Sequence, residues 1–187
     1  ASVSWRPGLT AADNIVADRP SLMVGRSGMD AGTVLVQRAG LADTVARFSG
    51  IDALQLDLGS GEVGNQVQVL GTIDGPVSLN GSSGNDAVFV QSLQGPAVVN
   101  LGEGNDLVQA GKDGTLAFIG GEIQVSGGQG KDRVILDAAS EIPGQAVIGS
   151  LATTILGASE AVQYDASVEV VELRAGMGDD VVAVFVD

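Results

Sequence analysis

Four aspartates close glycine-rich turns and are the residues of this chain best suited to hold a ligand: Asp86, Asp106, Asp132 and Asp180. They end the steps Gly84-Asn85-Asp86, Gly104-Asn105-Asp106, Gly130-Lys131-Asp132 and Gly178-Asp179-Asp180, and an apolar run follows each one. A hard divalent cation takes roughly six to eight oxygen ligands, and carboxylates on stacked turns, with Asn85 and Asn105 beside them and backbone carbonyls around them, supply that kind of donor. The same residues also have a plainer use. Gly and Asn tolerate positive φ and Asp closes an Asx turn, so these segments work as turns with no ligand at all. Both explanations stay open on the sequence.

The elements that must position these aspartates come from an internal repeat. Val67–Asp86 (VQVLGTIDGPVSLNGSSGND) aligns without a gap on Ala87–Asp106 (AVFVQSLQGPAVVNLGEGND), a repeat of 20 residues. Gly75-Pro76 falls on Gly95-Pro96 and Asn80 on Asn100, and Gly64-Asn65-Gln66 continues the series with Gln66 in the place of Asp. Each unit reads as strand, turn, strand, turn: Val67–Leu70, Asp74-Gly75-Pro76, Val77–Leu79 and Gly81–Asp86. Strands this short bury little alone, but stacked at about 4.8 Å they share one interior. The spacing predicts a right-handed parallel β-helix or β-roll solenoid with coils of about 20 residues. Both a two-sided and a three-sided solenoid accept that coil length. Asn80 and Asn100 should then form an amide ladder. Asp86 and Asp106 should share an edge about 5 Å apart, a repulsion a cation would relieve.

The turn chemistry recurs at Gly127–Asp132 before Arg133–Leu136 and at Gly176–Asp180 before Val181–Val186. A degenerate copy, Gly25–Asp30, precedes Val34-Leu35-Val36, and Ile51–Gly61 matches Val168–Gly178 in its apolar and Gly positions. The recipe thus extends over most of Val24–Val186, giving a solenoid domain over residues 21–187. Residues 1–20, with Trp5, Pro7 and Thr10–Ala17, read as an N-terminal arm or cap, and residues 138–167 as a less regular stretch. The terminal strand Val181–Val186 offers an edge for pairing with another chain or module.

Composition narrows the function classes. A net charge of −14, from 23 acidic and 9 basic residues with no His, argues against nucleic acid or an anionic membrane as partner. It suits either divalent counter-ions or a β-rich surface that acidity keeps soluble. The chain is 44% hydrophobic but only 3% aromatic, so its core is built from Val, Leu, Ile and Ala, and its 28 glycines point to many tight turns. Without Cys, no disulfide holds it. No apolar run approaches the roughly 18 residues of a membrane span.

Gly127-Gly128-Gln129-Gly130-Lys131-Asp132-Arg133-Val134-Ile135 fits the nonapeptide G-G-x-G-x-D-x-(apolar)-x throughout. Here the chain resembles the haemolysin-type calcium-binding (RTX) repeats, as found in giant surface and adhesin-type repeat proteins of Gram-negative bacteria. Leu101–Val108 and Ala175–Val182 lack the first Gly of the motif, and Gly81–Val88 lacks the second. The resemblance implies Ca2+ between turns, held by Asp86, Asp106, Asp132 and Asp180 with Asn85 and Asn105. It also implies an extracellular or cell-surface structural or adhesive module, not an enzyme. Its partners would be itself, neighbouring modules of the same kind, or a cell-surface or matrix polymer, with end-to-end assembly into a filament or surface layer. The chain departs from the family in two ways: the opposite turn, Asp74-Gly75-Pro76, lacks the motif, and the aspartates are spaced 20, 26 and 48 residues apart. The alternatives are a polysaccharide-active enzyme on a β-helix, which the missing His and few aromatics disfavour, and the secretion-type repeat domain of a larger exported protein.

Overall fold

The computed structural model describes residues 53–58, 64–69, 75–140 and 162–177 in full. It also gives the backbone of β1 (Ser2–Val3), β2 (Pro20–Arg26), β3 (Ala31–Arg38), β4 (Thr44–Ser49), β13 (Gln145–Ile148), β14 (Ala152–Ile155) and β17 (Val181–Val184). The fully described strands are β5 (Ala53–Asp57), β6 (Gln66–Val69), β7 (Val77–Asn80), β8 (Ala87–Val90), β9 (Ala97–Gly104), β10 (Leu107–Ala110), β11 (Ile123–Gly130), β12 (Asp132–Asp137), β15 (Val162–Tyr164) and β16 (Val168–Arg174). Among the described residues all regular structure is β, and no helix is long and apolar enough to cross a membrane.

Two sheets result. The first has nine strands in the order β1-β5-β7-β9-β11-β15-β14-β13-β17, the second eight in the order β16-β12-β10-β8-β6-β2-β3-β4. From β5 to β12 the chain passes from one sheet to the other at every step, and each strand lies parallel to the one it meets on its return. This all-β arrangement of two parallel sheets is compatible with a parallel β-helix or roll.

Side-chain alternation explains why such short strands hold. In β7, Val77 and Leu79 are buried while Ser78 and Asn80 are half-buried outside; in β8, Val88 and Val90 face in. A four-residue strand thus buries only two side chains, far too few to be stable alone. Stacking joins them into one cluster running from Leu54 and Leu56 through Leu79, Val99 and Ile123 to Val162 and Tyr164.

The 20-residue coil is found where the repeat is clearest. Val77 pairs with Ala97, Asn80 with Asn100, and Leu107 with Ala87. Elsewhere the gapless alignment slips. Val67 lies beside Val88, not Ala87, so this coil holds one residue more. The reason is burial: moving Val67 by one place would turn its side chain out of the core. The step from β10 to β11 is longer because Lys112–Ile119 forms an inserted loop that tucks Leu116 and Ile119 inward. Asp113 takes a positive φ of 53° in that loop, and Lys112 sits 5.8 Å from the centre of the Phe118 ring.

The flanks depart from the coil recipe. β2 and β3 pair antiparallel, as do β3 and β4, so Val34-Leu35-Val36 is no parallel coil. Only Gly25 and Arg26 of the turn copy Gly25–Asp30 lie among the described residues. The irregular stretch 138–167 contains β13 and β14; β14 runs antiparallel to both β13 and β15, while β13 runs parallel to β17. Ile51–Gly61 and Val168–Gly178 are not equivalent either, since β5 belongs to the first sheet and β16 to the second. At the N-terminus Ser2–Val3 pairs parallel with β5. Trp5, Pro7 and Thr10–Ala17 lie outside the described residues.

Candidate functional site in the stacked turns

The turns that follow β7, β9 and β11 stack on one edge of the molecule. Their aspartates point inward: Asp86 and Asp106 are each 2% exposed and Asp132 is 1% exposed. Each carboxylate reaches back to the coil before it. Asn65 N–H donates to Asp86 Oδ1 (2.7 Å), Asp86 N–H to Asp106 Oδ1 (2.7 Å) and Asp106 N–H to Asp132 Oδ1 (3.0 Å). The column ends where Asp132 N–H donates to Glu169 Oε2 (2.6 Å). This is a continuous ladder of carboxylates on buried amides, which must be paired when withdrawn from water.

Asn85 and Asn105 stand one residue earlier, exposed, and make the mirror arrangement. Asn105 N–H donates to Asn85 Oδ1 (2.8 Å) and Lys131 N–H to Asn105 Oδ1 (2.9 Å), so these side chains reach forward to the next coil. Asp180 lies outside the described residues. The expected amide ladder is present on the outer face of the first sheet: Asn100 Nδ2 donates to Asn80 Oδ1 (3.1 Å), and Asn80 Nδ2 donates to Asp57.

The three inward carboxylates differ in their second oxygen. Asp86 Oδ2 accepts Ser82 N–H (2.6 Å) and the Ser82 hydroxyl (3.1 Å), and Asn65 Nδ2 adds a further bond to Oδ1 (2.7 Å). Among the described residues, Asp106 Oδ2 and Asp132 Oδ2 are buried carboxylate oxygens with no hydrogen-bond partner, as is the amide oxygen Asn65 Oδ1. Burial pushes the Asp106 carboxyl up to about 7, with the Asp86 N–H opposing and the charges of Asp86 and Asp132 adding to it. Asp132 is raised too, first by burial, against the Asp106 N–H and with the charges of Glu169 and Asp165.

Backbone shape separates the turns in the same way. Gly102 and Gly104 have φ of 104° and 138°, and Gly128 and Gly130, paired on them in register, have φ of 100° and 135°. A Cβ on Gly128 would lie 1.9 Å from Gly102 O, so these two turns can stack only as glycine. Gly127 serves the carboxylate directly, since a Cβ there would come 2.4 Å from Asp132 Oδ2.

Two buried carboxylate oxygens on adjacent turns, to which no described residue donates, fit a hard cation: it would neutralise both charges and take these oxygens as ligands. Asp86 does not fit in the same way, because both its oxygens are already taken. Among the described residues no three acidic, His or Cys side chains converge, so such a cation would complete its shell with backbone carbonyls and water.

Sequence reasoning singled out Asp86, Asp106 and Asp132, which the structure stacks coil on coil in one column, but missed Asn65, Ser82 and Glu169. Asn65, not Gln66, takes the ladder position in the first copy. Ser82 carried a signal, as the residue standing where the nonapeptide has its second Gly. Nearby, Asp165 caps another turn: it accepts the Ser126 hydroxyl (2.7 Å) and the Ser167 N–H (3.0 Å). Its burial would raise the carboxyl, but the Ser167 and Ser126 hydroxyls and the Ser167 and Gly127 N–H groups outweigh that and hold it below the ordinary carboxylate range. No protein-family model, curated protein or solved structure matches the chain.

Proposed function

We propose that the chain is a structural or adhesive repeat module of the extracellular surface: a right-handed parallel β-helix or β-roll solenoid, RTX-like in its turns and non-enzymatic, whose turns calcium stabilises. The observation that carries this reading is the stack of turns, where a buried carboxylate column runs through successive parallel coils and two of its oxygens accept no hydrogen bond from the described residues. Ladders of this kind make each coil depend on the next, which suits a protein whose task is to be a long, stiff, repetitive body. The net charge of −14 keeps such a body soluble and draws divalent cations to it.

Self-association is the partner mode the sheets favour. β1 and β17 bound the first sheet and β4 and β16 the second, and edge strands present backbone groups that a further strand can pair. A cell-surface or matrix polymer is the second partner class. An open groove of about 350 Å³ on the outer face of the first sheet, lined by Val98, Asn100, Gln124, Ser126, Gln163 and Asp165, offers amides and hydroxyls to one. Light scattering on a concentration series, with millimolar calcium and then with chelator, tests the assembly reading. Growth of mass with concentration in calcium supports it, and a monomer at every concentration rejects it.

A further inference from the structure

We propose that Ser82 stands in for the cation at the Asp86 turn, so that of the three stacked turns only the Asp106 and Asp132 pair takes calcium. This inference rests on the calcium reading above and sharpens it to particular residues.

The argument compares one position through three coils. Ser82, Gly102 and Gly128 occupy the same place: Gly128 pairs with Gly102, and Glu103 N–H donates to Ser82 O (3.1 Å) as the stack continues. Where the residue is Ser82, its hydroxyl sits 3.2 and 3.1 Å from the two Asp86 oxygens and its N–H caps Oδ2. Ser82 is itself 8% exposed, so this polar group is built into the interior. Its hydroxyl oxygen also accepts Asn65 Nδ2 (3.0 Å) and Gly84 N–H (3.3 Å), which fixes it in place. Where the residue is glycine, there is no hydroxyl. The backbone also takes a positive φ that Ser82 does not adopt, and Gly128 N–H turns to the Ser167 hydroxyl (2.9 Å) instead of to Asp132. The Asp106 and Asp132 second oxygens are thereby left without a donor among the described residues, 2% and 1% exposed. A carboxylate shut away from water needs donors or a cation. The Asp86 turn has the first, and the next two turns are fitted for the second.

Isothermal titration with calcium and thermal melts in calcium and in chelator, on the wild type, Ser82→Gly, Asp86→Asn, Asp106→Asn and Asp132→Asn, decide the matter. Asp106→Asn and Asp132→Asn should each remove about one calcium per chain, and Asp86→Asn none. Ser82→Gly should melt lower than the wild type in chelator, regain most of that loss in calcium, and take up about one ion more. Loss of a calcium with Asp86→Asn, or a Ser82→Gly loss that calcium does not repair, overturns the inference while leaving the calcium reading intact. A wild type that takes up no calcium overturns both. If Asp86→Asn does not fold, the Ser82→Gly melts and stoichiometry decide alone.

Discussion

Two columns of side chains run through the same turns, one residue apart, and make the same bond under opposite conditions. The Asp column is ionisable and buried and reaches back to the preceding coil; the Asn column is neutral and exposed and reaches forward to the next. Both cap backbone N–H groups that a parallel coil leaves unpaired where the chain leaves its strand. In water such a cap adds little, because solvent would take its place; in the interior its loss leaves a donor with nothing. Position relative to the surface, more than residue type, therefore decides which column holds the fold.

Asp86→Ala should be the costliest single change in the ladder. It would strand the buried Asn65 N–H and Nδ2, the Ser82 N–H and the Ser82 hydroxyl together. A loss of at least about 3 kcal/mol in urea unfolding is expected, and a loss like that of an exposed turn residue would erase the contrast between the columns. Gly128→Ala should come next, at about 2–3 kcal/mol, because it combines a φ of 100° with a Cβ placed 1.9 Å from Gly102 O. Wild-type stability in that variant would mean the two glycine turns are not held in register as described.

How much of this was legible in the sequence depends on which signal carried it. Alternation along Val77–Asn80 and Ala97–Asn100 placed both strands and the Asn80–Asn100 ladder, since a period of two leaves one face for the core. The same alternation is silent on direction, so the antiparallel β2–β3–β4 region read like further coils. It is also sensitive to one inserted residue, and Gln66 was therefore set on the ladder in place of Asn65. Glu169 carried no local signal at all. It lies 37 residues from the amide it caps, beyond an irregular stretch and a register shift at Asp132/Arg133. The aspartates were visible as a motif, but their inward orientation, and the partners that separate Asp86 from the other two, belong to the stacking of the coils.

Acidity offers a third way to separate the columns, with chelator present so that protons are the only positive partners. Asp106 has its carboxyl raised from 3.8 to about 7 by burial, with Asp86 and Asp132 adding their charges. A carboxyl raised in this way favours the folded state while it keeps its proton there, fully so below about pH 4. That contribution is lost as the pH rises through about 7. Urea unfolding between pH 5 and 8 should therefore show stability falling with pH, and Asp106→Asn should flatten the slope. Calcium should flatten it from the other side, because a bound cation favours the deprotonated carboxylate. A slope that survives Asp106→Asn unchanged would place the titrating group elsewhere.

The smallest effect belongs to the outer column. Asn105→Ala removes the cap on Lys131 N–H, an exposed amide that water reaches at once. The expected cost is no more than about 0.5 kcal/mol, with no change in pH dependence, since no charge is added or removed. Amide hydrogen exchange gives the finer reading: Lys131 should exchange faster in Asn105→Ala while Asp106 N–H, bonded to Asp132 inside, stays protected. If instead the Asp106 amide loses protection as well, the two columns are one cooperative unit, and the outward Asn residues hold the coils in register for the carboxylates within.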